Sequence, residues 1–156
     1  MNEKSIRHVI CAVRGGPESR RTVSYAIDLA LEHQAKLTFF HVLDAEFMGH
    51  ATVGPLSLVY RELVEMGTFA MLILCDRAQR RGVEQTDFIV REGNIRNQIK
   101  QFVIETQAEL FVIGRPTRSP GKNVIKPNEF ETFIASLEAA GNIKIIAIPP
   151  KLDESS

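Results

Sequence analysis

Two short stretches of this 156-residue chain gather residues able to grip an anion. One reads Arg14, Gly15, Gly16, Pro17, Glu18, Ser19. The other runs from Gly114 to Asn128 and carries Arg115, Arg118, Lys122 and Lys126. Guanidinium forks hold phosphate or carboxylate through paired hydrogen bonds, and glycines let main-chain N–H groups approach a ligand. Neither stretch has the Gly-x-Gly-x-x-Gly of a dinucleotide fold. Gly121 and Lys122 are followed by Asn123, which lacks the hydroxyl a magnesium-binding loop needs. Ser19, Thr22 and Thr117 would be nucleophiles only beside a base, and neither stretch contains a histidine, so catalysis is not expected. His8, His33, His41 and His50 lie in separate segments without metal-site spacing and are assigned no role. Cys11 and Cys75 sit far apart in apolar runs, which reads as two small buried hydrophobes rather than a disulfide or a reactive pair.

The elements around these stretches alternate. Val9–Val13 is a continuous apolar run ending at Gly15, Gly16 and Pro17, as expected for a strand covered on both faces. From Ser19 to His33, Val23, Ala26, Ile27, Ala30 and Leu31 recur at helical spacing. Leu37–Leu43 is a second strand. The irregular stretch through Gly49, His50, Gly54 and Pro55 reads as a flap. Val59, Tyr60, Leu63, Met66, Ala70, Leu74 and Ala78 mark a long helix from about Ser57 to Arg81, stopped by Gly82, with this stripe as core. Phe88–Val90 is a third strand. Asn94 caps a helix with Ile95, Ile99, Phe102 and Val103 on one face, and Leu110–Ile113 is a fourth strand. Asn128 caps a helix carrying Phe130, Phe133, Ile134 and Leu137, and Ile143–Ile148 is a fifth strand closed by Pro149 and Pro150.

Five strands alternating with four helices imply an α/β fold. This is an open, doubly wound, five-stranded parallel sheet of order 3-2-1-4-5, with helices on both faces. One domain over residues 1–150 and a short tail, 151–156, account for the chain. The order reverses beside the first strand, so a ligand belongs between the loops following strands one and four. Those loops are the two stretches above.

The charge balance narrows the partners. Nineteen basic and nineteen acidic side chains cancel, so no overall field draws the chain to nucleic acid or anionic lipid. No apolar run approaches the roughly 20 residues of a membrane span. Low cysteine usage fits a reducing cytoplasm.

The texts of these elements, VICAVRGGPES, LTFFHVLD, VREGN and LFVIGRPTRS, resemble the universal stress protein family in order and spacing from Ile6 to Pro149. The resemblance implies a Rossmann-like, adenine nucleotide alpha hydrolase-like fold. It also implies a crevice that takes ATP or AMP, bounded by Val13, Arg14 and Gly15 after strand one, Val42 in strand two, and Gly114, Arg115, Thr117, Lys126 and Asn128 in the second loop. ATP-binding members have an Asp where Arg14 stands, and adenine meets backbone at the position of Val42. They wrap the phosphates with Gly-x-x-Gly, nine residues, then Gly-Ser or Gly-Thr. Gly114 matches the first glycine, but Thr117 replaces the second, and Pro127 with Asn128 replaces the closing pair. A side chain blocks close main-chain approach and proline removes a donor, so this phosphate cradle is damaged.

The expectation is a non-catalytic regulatory or stress-response domain with a degenerate nucleotide crevice. The alternative is an ATP- or AMP-binding switch, or a slow ATP hydrolase, working through Arg115, Arg118, Lys122 and Lys126. The fifth strand falls at a sheet edge with a row of apolar residues exposed. There the resemblance implies a homodimer through Ile143, Ile145 and Ala147.

Overall fold

A computed structural model describes residues 5–14, 19–44, 55–116 and 127–149. In chain order these form β1 (His8–Ala12), α1 (Ser19–His33), β2 (Lys36–Asp44), α2 (Pro55–Arg81), β3 (Thr86–Gly93), α3 (Ile95–Glu105), β4 (Leu110–Gly114), α4 (Pro127–Ala140) and β5 (Lys144–Ile148). All four strand pairings are parallel, and the sheet order is β3-β2-β1-β4-β5. This is the expected doubly wound sheet. The expected flap at Gly49, His50 and Gly54 and the tail lie outside the described residues.

Alternation along each strand divides the core into two layers. Val9, Cys11, Leu37, Phe39 and Val112 face α1 and α2, while Ile10, Phe40, Phe111 and Ile113 face α3 and α4. Phe40 stacks on Phe102 of α3 with ring centroids 4.4 Å apart and meets Phe111 edge-on at 6.5 Å. Burial of each such ring contributes roughly 2–3 kcal/mol, which helps seat α3 over β2 and β3. β1, apolar on both faces, is the central strand of the sheet, and the strand order reverses beside it.

Local signals set most element ends. The Asn94 side chain accepts the Asn97 N–H at 3.1 Å and so caps α3. Gly82, at φ 113°, ends α2 by returning the Val83 N–H to the Ala78 carbonyl at 3.0 Å. That φ suits a residue without Cβ. Pro55 and Pro127, by contrast, are each the first residue of a helix. There the absent N–H costs nothing and the ring presets φ. Asn128 therefore lies within the first turn of α4 and is not its cap.

Two packing expectations need correction. The stripe read as the core of α2 is so only in part. Ala78 is buried, Tyr60, Leu63 and Leu74 are half-buried, and Met71 and Cys75 are buried beside them, whereas Val59, Met66 and Ala70 are exposed, and Leu58, Phe69, Leu72 and Ile73 also face solvent. The helix is apolar on two sides, so its periodicity admits two solutions and contact with β2 and β3 selects one. The fifth strand does sit at the sheet edge, but its apolar row is not exposed as a whole. Ile143, just before β5, and Ile145 pack in the layer under α3 and α4, Ile148 packs in the other layer, and Ile146 and Ala147 are half-buried. Among the described residues no helix is long and apolar enough to cross a membrane.

Candidate functional site

The sheet brings the C-terminal ends of β1 and β4 side by side, and α1 and α4 approach the same edge. Val13 follows β1 and stays in the sheet's hydrogen-bonding pattern by donating its N–H to the Phe40 carbonyl at 2.8 Å. Its own carbonyl accepts the Nδ1–H of His41 at 2.7 Å. A carbonyl can only accept, so this bond places a proton on Nδ1. The other edge of the His41 ring faces Gly67 of α2, where an added Cβ would come within 3.4 Å of the imidazole. His41 thus joins the crevice floor to α2.

Arg14, half-buried, reaches across the gap: a terminal guanidinium nitrogen donates to the Arg115 carbonyl at 3.3 Å. The Arg115 N–H in turn donates to the Ile148 carbonyl at 2.8 Å. The chain leaving β1 is therefore tied to the chain leaving β4, and through it to β5. Gly114 belongs to this knot for steric reasons. A Cβ there would lie 2.9 Å from Oγ1 of the buried Thr22 and 3.6 Å from the Arg14 guanidinium. A β-branched side chain nearly sealed in the core has little room to yield.

The basic character of the second loop is partly spent locally. The Arg115 guanidinium pairs with Glu131 of α4 and lies over the Phe130 ring, 5.5 Å from its centroid. Glu129, in the first turn of α4, pairs with Arg96 of α3, so its negative charge at this helix end is offset by a neighbouring cation. Pro127 offers no N–H there. Val42 is half-buried and packs in the layer of α3 and α4, on the opposite face of β2 from His41. The exposed Asn128 occupies the first turn of α4. Gly15, Thr117 and Lys126, like Arg118 and Lys122, lie outside the described residues.

Val13, Arg14, Gly114 and Arg115 come together at the C-terminal ends of β1 and β4. His41, Thr22, Phe130 and Glu131 were not recognised as parts of the site. Position 41 could have been suspected as the neighbour of Val42, but its partner is 28 residues away and visible only through strand register. Burial pushes the Cys11 thiol far up and raises that of Cys75, which makes both poor nucleophiles.

The model of the universal stress protein family matches residues 5–128. The chain belongs to that family. Its fold is similar to that of universal stress protein UspA from Lactobacillus plantarum, at 16% identity and a TM-score of 0.69, with 94% of this chain and 99% of that one covered. A universal stress protein from Archaeoglobus fulgidus in complex with dAMP aligns at 14% identity and a TM-score of 0.56, covering 94% and 98%. A universal stress protein family protein from Arabidopsis thaliana with AMP bound aligns at 14% identity and a TM-score of 0.61, covering 96% of each chain. No curated protein matches the chain by sequence.

Proposed function

We propose that this universal stress protein domain is a non-catalytic regulatory unit. In this reading its crevice has lost the wrapping of a triphosphate and takes a small adenylate of the AMP kind with low affinity. The observation that carries this is the Arg14 guanidinium lying between the ends of β1 and β4 and donating to the Arg115 carbonyl. It puts a cation where ATP-binding relatives have a carboxylate, and narrows the gap through which a phosphate chain would run. A single phosphate needs fewer donors than three and suits a forked cation. Adenine recognition by backbone is indifferent to the side chains at Val13 and Val42, so that half of the pocket tolerates the changes. The relatives bound to AMP and dAMP support the ligand class. Use of the basic loop as a hydrolytic site is disfavoured at Arg115, whose guanidinium is engaged by Glu131 and Phe130.

Calorimetric titration with AMP, ATP and adenosine tests the reading. AMP is expected to bind with a dissociation constant on the order of 0.1–1 mM, and ATP more weakly. ATP binding tighter than AMP, or phosphate release with magnesium or manganese, would refute it. Thr117→Gly, Pro127→Gly and Asn128→Ser together are expected to raise ATP affinity. Mass spectrometry of small molecules released from freshly purified protein is expected to find no ATP.

A further inference from the structure

The outer face of α2 is unlike the rest of the described surface. Leu58, Val59, Met66, Phe69, Leu72 and Ile73 are 46–64% exposed, on the side of the helix opposite Met71, Cys75 and Ala78. The buried side is firmly seated: Met71 and Ala78 are core residues, Tyr60 hydrogen-bonds Glu92 at the end of β3, and Gly67 abuts His41. Rotating the helix to hide the outer face would break all three contacts. At roughly 200 Å² for a fully exposed residue of this size, the four nearest the middle of the helix, Met66, Phe69, Leu72 and Ile73, present on the order of 450 Å², a patch of the size that is often functional on a monomer.

The charges along this face say what covers it. At about 100° per residue, Glu62 and Arg80 fall on the same line of the helix, about five turns apart, with Phe69 and Ile73 close to that line between them. Both pairs are centred on the level of residue 71. A twofold axis perpendicular to α2 at that level sets Phe69 against Ile73 of a second copy, and Glu62 against Arg80 of that copy. The acidic residues Glu62 and Glu65 lie in the first half of the helix, and Arg77 and Arg80 in the last turns. Arg80 also pairs with Asp76 at 2.9 Å, an exposed i,i+4 contact that leaves it on the surface. An isologous interface must be complementary to itself, and this stripe is so in the antiparallel sense.

We infer that the outer face of α2 is a homodimer interface in which two copies of the helix pack antiparallel, Phe69 on Ile73 and Glu62 on Arg80. It lies over β2 and β3, at the far end of the sheet from β5, so it is distinct from any pairing of fifth strands.

Sedimentation of the full chain over about 1–100 μM tests this. The wild type is expected at twice the 17.5 kDa chain mass at the upper concentrations. Phe69→Asp with Ile73→Asp, at exposed positions, is expected to weaken association by at least about 100-fold with an unchanged circular dichroism spectrum. Should that variant fail to fold, the charge pair serves alone. Glu62→Arg is expected to weaken the dimer by about 10-fold, and Arg80→Glu added to it to restore most of the loss. A wild type monomeric throughout, a dimer indifferent to Phe69→Asp with Ile73→Asp, or a double charge reversal weaker than the single would each overturn the proposal.

Discussion

The two ends of the sheet are polar in different ways. At the N-terminal end, Thr38, the third residue of β2, is sealed from solvent, and its hydroxyl donates to Asp87 of β3. Having given up its only proton, it accepts from Nε2–H of His8 on β1, 2.6 Å away. Lys36 pairs with Asp87 at 3.0 Å, and Glu109, before β4, accepts the backbone N–H groups of Arg7 and His8 at 2.7 and 2.9 Å. Every one of these contacts bridges strands that are neighbours in the sheet. At the C-terminal end, Arg14 and Arg115 span the gap where the connections from β1 and β4 leave toward opposite faces. The first arrangement ties neighbouring strands directly to one another, beside a cavity of about 410 Å³ lined by Ala35, Lys36, Gly82 and Gln85. The second ties two diverging chains across a crevice, which is where a parallel sheet leaves space.

Breaking the lower network gives the largest expected effect. Thr38→Val strands the Asp87 carboxylate and His8 without their shared partner, and a loss of about 2–3 kcal/mol is expected in urea denaturation. Adenylate affinity should be unchanged, because the crevice is at the other end. At the upper end, Gly114→Ala drives a methyl against Thr22 Oγ1 and is expected to cost about 1–3 kcal/mol. Thr22→Ala in the same chain should recover part of this, and a double-mutant cycle measures the coupling. His41→Phe removes the proton held on the Val13 carbonyl. About 1 kcal/mol of stability should go with it, and AMP affinity should fall by about 5-fold if Val13 is part of the pocket, read by calorimetry.

The smallest effect concerns pH. Burial, reinforced by Lys36, holds the His8 pKa below its ordinary value of 6.5, against the opposing pull of Asp87 and Glu109. The unfolded chain thus takes up the proton more readily than the folded one. The contribution of neutral His8 to stability is complete above pH 6.5 and declines as pH falls below it toward the lower folded value. His8→Gln should flatten that part of a stability-versus-pH profile measured by thermal melting.

Much of the fold was legible in the residues. β1 and β4 are apolar on both faces, which only a central parallel strand requires, and α1 and α3 each show a single apolar stripe. The helix α2 resisted the same treatment. Its Met71–Cys75 run is apolar all round, so no periodicity separates the side that meets β2 and β3 from the side that meets solvent. In the site, Arg14 and Gly114 stood out by type and position. His41 did not, because its hydrogen bond depends on Val13 being brought beside β2 by the register of β1. Glu131 did not either, because pairing with Arg115 requires α4 to return over the end of β4.

Alternation of short apolar runs with amphipathic segments was enough to determine a doubly wound parallel sheet, because right-handed crossovers put helices on both of its faces, and the order expected for it is the one observed. Which side of α2 is hidden, which carbonyl Arg14 reaches and what holds Arg115 were decided only when the elements packed. These outcomes turn on helix rotation and strand register, set by contacts between residues tens of positions apart.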